Sequence, residues 1–142
     1  SAMRLVLDTN VLVAAMRSPR GASAALLRAA RAGRFEMLAT ATLFFEYEAV
    51  MMRAEHLQAA GLSPAEVGII LDRLAKAVTA VRASFMWRPQ VSDPDDDMVL
   101  AAAVNGQAEG IVSFERNVFR TAAMRFGIDV LTPAGVWNRI KK

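Results

Sequence analysis

Four carboxylates fall within five residues at Asp93, Asp95, Asp96 and Asp97, directly ahead of the apolar run from Met98 to Val104. Pro94 suits the first turn of a helix, where a missing N–H costs nothing, and Asp93 is placed to cap the free donors of that turn. Acidic side chains there also oppose the positive end of the helix dipole. One or two acids would need no reading beyond capping. Four repel one another enough that a cation is the natural counterweight, so this helix mouth is a candidate metal site. From Val99 onward apolar residues surround the helix, which belongs in the interior with only its first turn at solvent.

Three further acids stand where a site can form. Asp8 closes the apolar run Leu5-Val6-Leu7, Glu46 lies among Phe44, Phe45 and Tyr47, and Glu115 follows Ser113-Phe114. In an open parallel α/β sheet, sites form at the carboxyl ends of strands, and Asp8 and Glu115 both follow strand-like runs. They meet the acidic helix mouth if those strands are neighbours. Each acid also has a plainer reading: Asp8 as a helix N-cap, Glu46 on the solvent side of its helix.

The elements that position these acids alternate. Arg4 to Asp8 reads as a buried parallel strand, followed by a helical pattern at Val11, Leu12 and Ala15. After Ser18-Pro19-Arg20-Gly21 a helix is expected from Ala22 to Ala32, stopped at Gly33. Phe35 to Ala39 is a second strand, with Thr40 or Thr42 capping a helix that runs to about Arg53 and carries Glu46. Ser63-Pro64-Ala65-Glu66 is a capping box opening a helix to about Val78. Thr79 to Ala83 is a short strand, and Arg88 to Ser92 a loop into the acidic helix. Gly110 to Phe114 is a strand, Asn117 to Phe126 a helix stopped by Gly127, Ile128 to Leu131 a last strand, and Pro133 to Ile140 a last helix. Strand and helix in alternation imply an α/β sandwich with a mainly parallel sheet.

With 142 residues and no linker or repeat, the chain fits one domain over residues 3–142, Ser1-Ala2 resembling a cleavage scar. No cysteine is present, which excludes disulfides and thiolate metal sites, and His56 is the only histidine. Any metal must therefore be held by oxygen, as magnesium and manganese are. Although 54% of residues are hydrophobic, no apolar stretch approaches the ~20 residues of a membrane span. Asp8 and Asn10 also interrupt any secretory signal, so a cytoplasmic protein with no membrane contact is expected. A net charge of +3 tolerates a polyanionic substrate without marking a nonspecific DNA binder.

Taken in order, Leu5-Val6-Leu7-Asp8-Thr9-Asn10-Val11-Leu12, Leu43-Phe44-Phe45-Glu46-Tyr47 and Asp93-Pro94-Asp95-Asp96-Asp97 resemble the PIN-domain family, in particular its VapC-like toxin ribonucleases. The likeness covers nearly the whole chain. It implies a three-layer α/β/α sandwich and a metal-dependent endoribonuclease, the toxin of a toxin–antitoxin pair, with RNA as substrate, an antitoxin protein as partner and a homodimeric state. Carried over position by position, Asp8, Glu46 and Asp96 match the three acidic positions of the motif. Asp96 is preferred because it stands three, four and seven residues before Val99, Leu100 and Ala103, with Asp97 the close rival as metal ligand. Asp93 and Asp95 are then a cap and an outer ligand.

The fourth site departs from the family. Relatives commonly place aspartate or asparagine where Glu115 stands here, and a second aspartate where Val118 stands. Glutamate is one methylene longer, which shifts an oxygen by about 1.5 Å if nothing adjusts. The resemblance assigns Asp8 and Asp96 to the principal Mg2+ or Mn2+ ion, with Glu46 and Glu115 on a second ion or orienting water. Thr9, Asn10 and Ser113 are candidate donors to phosphate or to the carboxylates, and Arg17, Arg20, Arg53, Arg116 and Arg120 candidate substrate contacts. Trp87 and Trp137 fit packing better than base stacking, and Met51 and Met52 fit a core. Two rivals remain: a PIN-fold RNA- or protein-binding module with weakened catalysis, and a haloacid-dehalogenase-like phosphotransferase, whose Asp-x-Asp pattern Asp8-Thr9-Asn10 lacks.

Overall fold

The structure, a computed structural model, describes residues 2–82 and 93–141. The loop expected over Arg88–Ser92, together with Ala83 and Trp87, lies outside the described residues. In chain order the elements are β1 (Arg4–Leu7), α1 (Thr9–Arg17), α2 (Ala22–Arg31), β2 (Glu36–Ala39), α3 (Ala41–Met51), α4 (Ala54–Ala60), α5 (Pro64–Ala77), β3 (Thr79–Ala80), α6 (Pro94–Asn105), β4 (Gly110–Val112), α7 (Arg116–Arg125), β5 (Asp129–Leu131) and α8 (Pro133–Ile140).

Leu5, Val6 and Leu7 are fully buried, because a strand covered on both faces is apolar at every position rather than at alternate ones. β1 lies at the centre of a five-stranded sheet of order β3-β2-β1-β4-β5, and every pairing is parallel. The chain winds outward from β1 through β2 to β3, then returns to the other side of β1 and winds outward again through β4 to β5. The reversal falls between β1 and β4, where their carboxyl ends leave a crevice. The register pairs Leu7 with Val112, and the Asp8 N–H donates to the Val112 carbonyl at 2.8 Å. Asp8 and Ser113, the residues that follow the two strands, are thereby brought side by side.

Helices flank this sheet to complete a three-layer α/β/α sandwich. α6 packs on β1, β2 and β4 and touches α3 and α7, while α2 gathers α1, α5 and α8. Val99, Leu100, Ala102 and Ala103 are buried, as expected for an interior helix. Gly106, which follows it, is held against its surroundings: a Cβ there would lie 2.9 Å from the Ala102 carbonyl and 2.9 Å from Val81 Cγ2. No helix among the described residues is long and apolar enough to cross a membrane.

Several boundaries differ from expectation. The helix expected to run to about Arg53 ends at Met51, and Arg53 becomes the N-cap of a separate helix, α4, closed by Gly61 in the left-handed region (φ 68°). α4 buries none of its residues, so it carries no apolar stripe to announce it. β1 stops at Leu7, leaving Asp8 as N-cap of α1, and β4 stops at Val112, leaving Ser113 and Phe114 in the turn. β3 keeps two residues, Thr79 and Ala80, both exposed, and the Val81 N–H just after it donates to the Ala39 carbonyl at 2.9 Å. α7 begins one residue early, at Arg116.

Candidate metal centre

Asp8 occupies the N-cap position of α1, yet its carboxylate makes no capping hydrogen bond to that helix's interior. It is turned toward β4: the Ser113 hydroxyl donates to Asp8 Oδ2 at 2.6 Å, and the Glu115 N–H donates to the same hydroxyl at 2.9 Å. Ser113 is fully buried, so this relay fixes the orientation of the carboxylate and the course of the turn together. Burial holds the Asp8 pKa above the ordinary carboxylate range, opposed by the Ser113 and Thr9 hydrogen bonds and reinforced by Glu115 and Asp93.

Asp93 caps α6, accepting from the Asp95 N–H at 2.8 Å, and the helix then turns Asp96 toward Asp8. One carboxylate oxygen each from Asp8, Asp96 and Glu115 lies within 4.8 Å of the others. Burial and then repulsion from Asp8, Asp93, Glu115 and Asp95 push the Asp96 pKa up to about 6. Two crowded carboxylates, Asp8 and Asp96, that resist ionising are the electrostatic signature of a place that a cation would neutralise. Oxygen donors alone in such a cluster suit a hard divalent ion.

These three line a cavity of about 390 Å³ with Thr9, Asn10, Val13, Glu46, Val50, Arg53, His56, Asp93 and Asp95. Glu46 faces the cavity but stands outside the 4.8 Å group. Asp97 does neither, being rotated by one helical step to the other side of the first turn of α6. Of the candidate arginines, Arg53 lines the cavity, Arg116 and Arg120 line an adjoining depression, and Arg17 and Arg20 line neither. Val118 is exposed and away from the cavity.

His56 has no counterpart in the sequence-based site. It reaches the cavity from α4, the helix that periodicity does not reveal, and its Nδ1 is buried without a hydrogen-bond partner. The Asn10 Oδ1 is buried and unpartnered as well. Unsatisfied buried polar atoms are uncommon, and here two belong to residues that line the same cavity. The sequence signals were the first-turn Glu55 and the stop at Gly61, which together bracket a short helix around the one histidine.

α3 is tied to the same strand end. Tyr47 is fully buried, and its hydroxyl donates to the Leu7 carbonyl, so the residue beside Glu46 is anchored to the residue beside Asp8. Burial, with Asp8 adding repulsion, keeps the phenol far from ionisation. Tyr47→Phe removes the partner of a buried carbonyl and is expected to cost about 1–3 kcal/mol. A lowered urea midpoint with unchanged slope is the readout; an unchanged midpoint would mean that the carbonyl is satisfied elsewhere.

The architecture is therefore that of an α/β sandwich whose reversal point carries a carboxylate cluster drawn from β1, α6 and the β4–α7 turn. The PIN domain family profile matches residues 4–117, and the chain belongs to that family, whose members are generally nucleases. No curated protein matches the sequence. Among solved structures, a chain of VapBC2 from Rickettsia felis, crystallised with a DNA fragment from its promoter, is similar in fold with a TM-score of 0.56. The sequences share 14% identity, and the match covers 92% of this chain and 98% of that one.

Proposed function

We propose that the protein is a magnesium- or manganese-dependent endoribonuclease that hydrolyses RNA phosphodiester bonds as the toxin of a toxin–antitoxin pair. The observation that carries the reading is the convergence of Asp8, Asp96 and Glu115 at the sheet's reversal point in a PIN domain. Asp8 and Asp96 would hold the principal ion, with Glu115 as the third carboxylate, and Glu46, which lines the same cavity, would orient water or a second ion. A divalent ion bound there would supply acidification of water and neutralisation of charge developing on the scissile phosphate. Ser113 holds Asp8 in the ligating orientation. Arg53, at the cavity edge, contacts a phosphate beside the scissile one.

The fold shared with a VapBC2 chain supports an antitoxin partner for this protein too, and a cytoplasmic homodimer is part of the same proposal. Exposed Phe45 and Ile69 supply apolar surface for association. The test is hydrolysis of single-stranded RNA with added Mg2+ or Mn2+, abolished by chelator and restored by excess metal. Cleavage that persists in chelator would overturn the reading. RNA binding without cleavage in either metal would leave the binding-module alternative.

A further inference from the structure

We propose that Phe114, together with Arg116 and Arg120, forms a track that seats single-stranded RNA beside the acidic cavity, Phe114 stacking on an unpaired base. The inference rests on the ribonuclease reading for what happens at the end of the track. The geometry of the β4–α7 turn is what points to it. Ser113 is held inward by its bond to Asp8 and by the Glu115 N–H, so the residue between them is turned out, and Phe114 is 55% exposed. An aromatic ring is thus presented to solvent one residue from a member of the carboxylate cluster.

Its surroundings are not those of a stray apolar residue. Phe114 lines a depression of about 430 Å³ with Glu115, Arg116, Asn117, Val118 and Arg120. Glu115 lines this depression and the acidic cavity alike, so the two adjoin at that side chain. Arg116 and Arg120 are four apart on α7, hence on one face, and neither is in an ion pair among the described residues. An exposed ring flanked by unpaired cations is the arrangement that binds single strands, in which bases stack on aromatics while arginines follow the phosphates. Duplex RNA keeps its bases in the helical stack and offers no free face to such a ring. The cations also offset the repulsion that the carboxylates exert on an approaching phosphate. A protein partner is the competing occupant, since Met124 on the same helix is 73% exposed. The unpaired arginines and the shared Glu115 wall favour RNA.

The experiment is equilibrium binding of a short fluorescein-labelled single-stranded oligoribonucleotide, and of a fully paired hairpin closed by a non-nucleotide linker, to the full chain carrying Asp96→Asn, so that nothing is cut. Adding Phe114→Ala is expected to weaken single-strand binding about tenfold, with Phe114→Tyr staying within about twofold, and to leave hairpin binding unchanged. Arg116→Ala and Arg120→Ala each flatten the salt dependence. Phe114 lies outside the buried core, and an unaltered thermal midpoint verifies folding. Single-strand binding unaffected by Phe114→Ala overturns the track, as does a loss equal on single strand and hairpin, or a change in sedimentation in place of RNA binding. If the parent then still cleaves RNA with metal, the ribonuclease reading stands without the track. If the parent cuts nothing but Phe114→Ala shows the selective loss, the track stands without the ribonuclease.

Discussion

Asp96→Asn is expected to abolish metal-dependent RNA cleavage, by about a thousandfold or more on the scale of losing a main electrostatic stabiliser of the transition state, while leaving a folded protein. The substitution keeps size and removes a charge from a cluster whose other oxygens lie within 4.8 Å. In metal-free buffer the variant is expected to be at least as stable as the parent, because the removed charge was repelled by Asp8, Asp93, Glu115 and Asp95. The sign follows from linkage. The folded pKa of Asp96, about 6, lies above its unfolded value of 3.8, so the folded state binds more protons between them. Stability is fully present below pH 3.8 and is lost as the pH rises through about 6, and Asn at this position abolishes that part of the dependence. For a partly exposed, solvent-screened carboxylate the effect is about 1 kcal/mol. Asp8→Asn shares the loss of cleavage, but it changes the acceptor of a buried hydrogen bond from Ser113, so its stability gain is smaller. Chemical denaturation at pH 4 and pH 7 in chelator, with cleavage assays in both metals, decides the matter. Parental cleavage rates in both variants would remove the cluster from the chemistry.

Glu115→Asp is expected to lower cleavage by about 10–100-fold, the range seen when a ligand's support at a metal site is lost. The family places a shorter acid here, and the sequence leaves two outcomes for the extra methylene. Glu115 is the N-cap of α7 with φ −109° and ψ 62°, and its carboxylate reaches the Asp8–Asp96 group. The turn has therefore accommodated the longer side chain, and shortening it draws the oxygen back by about 1.5 Å. Magnesium, stricter in its geometry, is expected to show a larger loss than manganese. Glu115→Gln keeps the reach and removes the charge, so the comparison separates length from charge. A gain of activity in Glu115→Asp would show that the longer side chain had held its oxygen in the wrong place, and equal activity in all three proteins would exclude Glu115 from the site.

Legibility in the sequence followed the strength of local patterning. Leu5-Val6-Leu7 is apolar at every position and reads as a buried strand, and it is one; the Ser63–Glu66 capping box forms as written, with both reciprocal bonds made. Spacing to Val99, Leu100 and Ala103 favoured Asp96 over its close rival Asp97, and it is Asp96 whose carboxylate lies with those of Asp8 and Glu115. α4 was not legible, since a helix that buries nothing has no period, and His56 went unassigned with it. Arg17 and Arg20 carried only their charge as a signal, which does not say where a side chain points. The neighbouring of β1 and β4 had no local signature either, because parallel partners are set by long-range packing; family likeness supplied what periodicity could not.

The Ser113–Asp8 hydrogen bond joins residues 105 apart in the chain. Synthesis proceeds from the N-terminus, so Asp8 leaves the ribosome early, and the groups that orient and crowd it arrive only with α6 and the turn after β4. A nascent chain that has not yet released β4 holds Asp8 without its serine and without the opposing glutamate. The carboxylate cluster is thus assembled by the last long-range strand pairing at the sheet's centre, not by any local segment. Any activity that depends on the cluster is withheld from the unfinished polypeptide and begins with the closure of the tertiary structure around it.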